Sequence, residues 1–235
     1  MMVFLLLACT EKKVMPKALD RLLIYDVHVE ARFLDEQEQR YIEEDWTIAV
    51  QKKEVLRDDS LLLSLRFVEA QRRESEAGSW QDSTLRGREV EVTAFPWGEM
   101  LRVEGWEHLA DVPDINSLDI ILPLLFPNPP VRPSQQWTYR ILPWKYKGAL
   151  PEGIYRLNQK ISANWTQTDE RKWAYSGTWS AASRLQDIFD GTVSGTVETD
   201  GAWLQKHQWN WNRELEYPSL RKEEFTGQIQ RVENE

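Results

Sequence analysis

One cysteine in 235 residues leaves no partner for an intrachain disulfide and no basis for a cysteine-held zinc site. No apolar run approaches the ~20 residues that a membrane-spanning helix needs. Basic residues are too few: the net charge of −9 excludes nucleic acid as a partner, because phosphate binding needs a basic face. It equally excludes an electrostatic hold on an anionic membrane surface. His28, His108 and His207 lie far apart and share no ligand spacing with each other or with carboxylates, so no metal and no cofactor is expected. Gly191-Thr192-Val193-Ser194-Gly195 sets its serine one place away from a nucleophile elbow, and no helix follows. Phosphate-cradling glycine loops, dinucleotide fingerprints and calcium-loop spacings are missing too. These absences point to a binding or structural protein rather than an enzyme.

What the chain does have is period-two alternation, over most of its length. Leu23, Tyr25, Val27, Val29, Ala31 and Phe33 share one face of a strand, with Asp26, His28, Glu30 and Arg32 opposite. His28 thus falls on the polar face and reads as solvated. Ile42, Trp46, Ile48 and Val50 mark a second strand, and Leu61, Leu63, Leu65 and Phe67 a third. Val90, Val92 and Ala94 make a fourth, and Leu101 with Val103 a fifth. Asp35–Arg40 reads as a charged turn. The connections are short, which forces antiparallel neighbours. Glu43, Glu44 and Asp45 are adjacent and alternate faces, so they read as a solvated strand edge rather than a converging acid pair.

The alternation breaks at Asp111–Pro133. Asp114 or Asn116 can cap a short apolar helix that ends near Pro123, and Pro127, Pro129, Pro130 and Pro133 then hold the backbone extended. Leu122, Leu124, Leu125 and Phe126 are expected to be buried against the open side of the sheet. Beyond this stretch the alternation resumes. The expected fold is mainly β and antiparallel: two β-meander halves, as a half-barrel or two packed sheets, joined by the helix and the proline-rich crossover. Residues 20–111 form the first half, 112–133 the crossover and 134–235 the second, tryptophan-rich half.

Most of the 12 tryptophans fall in that second half. Trp173, Tyr175, Gly177 and Trp179 form one row; Phe189, Gly191, Val193, Gly195 and Val197 form another. Trp203, Trp209 and Trp211 stand at odd positions with His207 between them, and the last strand carries Phe225, Gly227, Ile229 and, after a register change, Val232. Asp190-Gly191 and Asp200-Gly201 have the composition of turns. Glycines on the faces that carry large residues let neighbouring rings lie over bare backbone. Such rows serve as packed core, each ring burying ~150–250 Å², or as the wall of a groove for lipid, glycan or peptide. The candidate groove is Trp173, Tyr175, Trp179, Trp203, His207, Trp209 and Trp211. The sequon Asn164-Trp165-Thr166 matches N-glycosylation by pattern alone.

At the other end, Met1–Ala8 is wholly apolar and Cys9 follows at once. The order Leu6-Leu7-Ala8-Cys9 resembles the lipobox of bacterial lipoproteins, in which the chain is cut before a cysteine that becomes diacylated. On that reading residues 1–8 are a signal peptide and 9–19 a tether. No Lys or Arg precedes Cys9 and the run is short, which is accounted for if the true start lies upstream. Thr10 then favours the outer membrane by the sorting rule of enteric bacteria. The alternative is a buried strand with an inert cysteine.

Arg88–Gly105 (REVEVTAFPWGEMLRVEG), and the segment from Phe126-Pro127 through Val131-Arg132-Pro133 to Trp137, resemble recurring pieces of bacterial envelope lipoproteins that have no assigned catalytic residue. Those proteins are similar in layout to half-barrel lipoprotein carriers of the LolA and LppX kind. The resemblance implies a lipid-anchored, non-catalytic protein of the cell envelope, facing the periplasm, that binds an apolar ligand or a protein partner. An accessory subunit of an envelope complex and a wall- or glycan-directed hydrolase are the rival readings.

Overall fold

The computed structural model describes residues 22–35, 39–94, 100–105, 125, 136–141, 158–182, 187–200, 203–215 and 221–232. Cys9, the expected helix and, apart from Leu125, the proline-rich crossover after it lie outside them.

Each alternating run forms a strand. They are β1 (Leu23–Asp35), β2 (Gln39–Val55), β3 (Leu61–Arg73), a two-residue β4 (Gln81–Asp82), β5 (Glu89–Ala94) and β6 (Met100–Glu104). The second set is β7 (Gln136–Ile141), β8 (Asn158–Asp169), β9 (Lys172–Ala182), β10 (Asp187–Asp200), β11 (Trp203–Leu215) and β12 (Arg221–Val232). Asp190-Gly191 is not a turn: it lies inside β10.

The two halves are not two sheets. β1 pairs antiparallel with β12 from Ile24↔Val232 to Asp35↔Arg221, and this seam joins everything into one twelve-stranded sheet. The order is β6-β5-β3-β2-β1-β12-β11-β10-β9-β8-β7, with β4 added to β3. Among the described residues, β6 and β7 end this order and no pairing closes it into a barrel. The chain between Gly105 and Gln136 therefore leads from one outer strand to the other. Leu125, within that stretch, is buried in the same apolar cluster as the strand residues, as expected of it.

Register explains three further departures. β2 lies between β1 and β3, so Glu43 and Glu44 stand in the sheet interior and are buried, not at a solvated edge. Between Thr47↔Glu69 and Ile48↔Phe67, β3 holds one extra residue, Val68, whose side chain is turned out to 45% exposure. At the end of β12 no register change occurs; Val232 pairs with Ile24 on the outward face and is exposed.

One face of the sheet is apolar from β5 to β8, and its buried side chains from both halves form a single cluster. Apart from strand residues, only Leu85 and Leu125 of the described chain add buried apolar side chains to it. The opposite face carries most of the polar residues, while Glu44, His207, Arg213 and Glu223 are buried on the apolar side.

Candidate functional site

Six of the seven residues of the expected groove fall on the apolar face, and the reason lies in β10; the seventh, Trp203, lies beyond a bulge that turns Leu204 inward, and it pairs with Asp200 instead. The inward residues of β10 are small: Val197 separates Trp173 from His207, Gly195 separates Tyr175 from Trp209, and Val193 separates Gly177 from Trp211. Strands two places apart are ~10 Å from each other, a gap that large rings can bridge only over small neighbours. Trp179 and Trp211 meet in this way, with centroids 5.4 Å apart. Tyr175 stacks at 4.8 Å on Trp165 of β8 and meets His207 edge-on at 5.6 Å. His207 in turn lies 5.7 Å from Trp209. Trp173 is buried, and Trp203 is half-buried against the cluster.

Gly195 shows how tight the arrangement is. A Cβ there would sit 2.6 Å from Tyr175 Oη and 2.5 Å from the carbonyl oxygen of Gln208. The second contact is backbone and cannot swing away. Gly195→Ala is expected to destabilise the protein by about 1–3 kcal/mol, the usual range for overpacking, read as a lowered urea midpoint. An unchanged midpoint would mean that the ring does not lie over the strand.

Three of the polar side chains on this face are linked in a chain of hydrogen bonds. Trp211 Nε1 donates to Tyr175 Oη at 3.0 Å, and the tyrosine hydroxyl stands 3.0 Å from His207 Nε2. An indole can only donate, so the tyrosine hydroxyl accepts from Trp211, and its own proton is available to His207 in the tautomer whose Nε2 accepts. Burial pushes the Tyr175 hydroxyl well above its ordinary pKa, against the opposing effect of the Trp211 N–H, and keeps that proton in place. All three side chains are buried. One turn of alternation away lies a buried ion pair: Arg213 Nε donates to Glu223 Oε2 at 2.6 Å, with Arg213 only 4% and Glu223 0% exposed. The guanidinium carbon sits 4.8 Å from the Trp179 ring, 4.9 Å from Phe189 and 5.5 Å from Phe225. Such cation–π contacts strengthen when desolvated.

Arg213, Glu223, Trp165, Phe189 and Phe225 were not among the expected groove residues. Their signal was present: each has the parity of the tryptophans on its own or the paired strand. Charge at the ends of β11 and β12 hid it.

The outward face holds a second cluster, around His28. It is half-buried opposite Asp45, with His28 Nδ1 2.7 Å from Asp45 Oδ1 and Nε2 3.5 Å from Glu30. Glu43, paired with Arg73 and accepting from Tyr41 Oη at 2.8 Å, lies beyond. The histidine is therefore held by carboxylates rather than simply solvated. A depression of about 940 Å³ on this face is lined by Asp26, His28, Asp45, Thr47, Gln228 and Gln230, among others. A second of about 560 Å³ includes Thr192, Asn212 and Glu224. The first is mostly polar, whereas the second also borders Phe189, Arg213 and Glu223 of the aromatic face. Among the described residues no group of three His, Cys, Asp or Glu is arranged to hold a metal ion.

The hydrogen bond to Asp45 raises the His28 pKa above its ordinary 6.5, outweighing the opposing effect of burial, and Glu30 and Glu43 act in the same direction. A raised pKa means the folded state holds the proton more tightly. The added stability is complete below pH 6.5 and disappears as pH rises through the folded value. Asp45 is half exposed, so the effect should stay within about 1 kcal/mol. Unfolding free energy should fall over that window in the wild type and stay flat in His28→Gln; equal slopes would show that His28 is not the linked group.

No protein-family model matches the chain, and no curated protein matches it significantly. Among solved structures it is similar to lipovitellin, in a structure concerned with lipid–protein interactions in that protein. The TM-score is 0.54 with 8% identity over 90% of this chain. The chain spans about a quarter of the lipovitellin chain (25%). The S-type phycobiliprotein lyase CPES of Guillardia theta aligns over 90% of this chain and 88% of its own, but at a TM-score of 0.35 and 3% identity, too low to indicate a shared fold. Of the layout expected from envelope carriers, the antiparallel, β-rich sheet is present; no family is identified.

Proposed function

We propose that the protein binds an apolar, lipid-like ligand against the aromatic face of its sheet, without catalysing a reaction on it. Acyl chains on Cys9 hold it to a membrane of a bacterial cell envelope, at the outer membrane facing the periplasm. The observation that carries the binding reading is the sheet itself: one antiparallel layer, not closed into a barrel among the described residues, whose apolar side chains from β5 to β8 gather in a single cluster rich in aromatic rings. The likeness of fold to lipovitellin, where the subject is lipid–protein interaction, supports the same reading. The Leu6-Leu7-Ala8-Cys9 order supports the anchor.

The test uses tryptophan emission from the full chain titrated with pyrene-labelled acyl lipid in mild detergent. Saturable energy transfer to pyrene is expected. Its absence at high probe concentration, in a chain that instead co-purifies with other envelope proteins, would replace this reading by that of a surface-presenting subunit. Radioactive palmitate, fed to bacteria expressing the gene, is expected to label the wild type and not Cys9→Ser. Equal labelling of the two, or none, would remove the anchor.

A further inference from the structure

The outward face of the sheet changes character at the β12–β1 seam. On β1 and β2 it is charged, with Asp26, His28, Glu30 and Arg32 on one strand and Glu43 and Asp45 on the next. From β12 to β8 it is not. Register sets Thr226, Asn210, Ser194, Ser176 and Asn164 side by side across five strands. The rows on either side, Asn212-Thr192-Thr178 and Gln208-Thr196-Ala174, carry no charge either. Charge returns towards the strand ends, as at Glu198, Glu214 and Glu224.

Neither strand propensity nor solubility accounts for this. Strands favour threonine but not serine, and they are depleted in asparagine. Yet Asn164, Asn210, Asn212, Ser176 and Ser194 fill these positions, and all are exposed. Charged side chains make up 29% of the chain, and a solvated patch ordinarily holds them at about that frequency. An uncharged polar face gives up its water readily, because amides and hydroxyls cost far less to desolvate than charges. Each of these groups both donates and accepts. Its complement is a molecule with neutral donors and acceptors all along its length. The row spans about 19 Å, four strand spacings, enough for several sugar rings. At β12 the face runs into the depression of about 940 Å³, which Gln228 and Gln230 border.

We infer that this face binds a neutral glycan. An unbranched sugar chain lies across β8–β12, its hydroxyls exchanging hydrogen bonds with Asn164, Ser176, Ser194 and Asn210, and one end seats in the depression beside β12. This is a second site, on the opposite side of the sheet from the aromatic face and independent of the lipid reading above. A basic partner would be drawn instead to the charged β1–β2 side, and an anionic one is repelled by the net charge of −9.

The experiment titrates the full chain with cellohexaose, maltohexaose and chitohexaose, which are neutral, and with hexagalacturonate, which carries a carboxylate on each ring. At least one neutral probe is expected to bind, and hexagalacturonate more weakly by about tenfold or more. Ser194→Glu and Asn210→Ala, both at exposed positions, should each lower the affinity about tenfold, the size of one hydrogen bond. Arg66→Ala, exposed on β3 outside the row, should change it by less than about twofold. In case a variant does not fold, the side-chain amide 15N signals of the wild type give the same answer. Those of Asn164, Asn210 and Gln228 should move with the neutral probe and stay with hexagalacturonate. No binding of any neutral probe at millimolar concentration, equal affinity for hexagalacturonate, or equal loss in all three variants overturns the assignment. So does reversible self-association that Ser194→Glu abolishes, which would give the face to a second copy of the chain. Energy transfer to the pyrene lipid is unaffected by any of these outcomes, so the two sites are judged separately.

Discussion

Glu223→Leu is expected to destabilise the protein by about 3–5 kcal/mol, the range for breaking a buried ion pair by removing one partner. The reason is the charge left behind. Arg213 is 4% exposed and its guanidinium faces Trp179, Phe189 and Phe225, rings that attract a cation but cannot replace a carboxylate. Removing both charges together should behave differently. The double variant Arg213→Met, Glu223→Leu keeps the volume and leaves no unpaired charge, so it should recover most of the loss; such exchanges are often neutral or stabilising. Urea midpoints at an unchanged m value give both numbers. A double variant as unstable as the single one would show that Arg213 contributes by its packing rather than by its charge.

Trp179→Ala should cost about as much, about 3–5 kcal/mol, but through a cavity. Trp179 is fully buried and touches Phe189 at 4.8 Å, Trp211 at 5.4 Å and Phe225 at 6.3 Å. The thermal midpoint should fall by roughly 6–20 °C, taking 2–4 °C per kcal/mol for a chain of this size. Because Trp179 also faces Arg213, its loss and that of Glu223 should not add. Near-additive values would mean that the ring and the ion pair are independent. Against a typical total of 5–15 kcal/mol, either single change brings the fold close to its limit.

Much of this face was legible from parity alone. Leu23 to Phe33 and Trp173 to Trp179 sit on the side that period two assigned them, because a side chain's face depends only on its neighbours along the strand. The partner of a strand depends on the whole chain, and there the reading failed. Nothing in Leu23–Phe33 favours Phe225–Ile229 over any other alternating run, so the β1–β12 seam stayed hidden and two separate halves were expected. The misplacement of Glu43 and Glu44 follows from the same gap, since an edge and a centre differ only in what lies alongside. His28 was a nearer miss. The β1–β2 hairpin alone sets it opposite Asp45, and taking that hairpin's register from its turn would have found the pair. Arg213 and Glu223 likewise face each other across the β11–β12 hairpin. Charged residues at strand ends ordinarily mark solvent, and here they do not.

The position of the seam bears on how the molecule assembles. Every other pairing joins strands that neighbour one another along the chain, apart from the short β4, whereas Ile24 has to find Val232 across nearly the full length. Read from β7 through β12 and on into β1 through β6, the same sheet is a plain meander. A circular permutant that links the ends near Leu22 and Val232 and opens the chain between β6 and β7 would make every contact local. Low contact order speeds folding, so the rearranged chain should reach the same sheet sooner than the natural one.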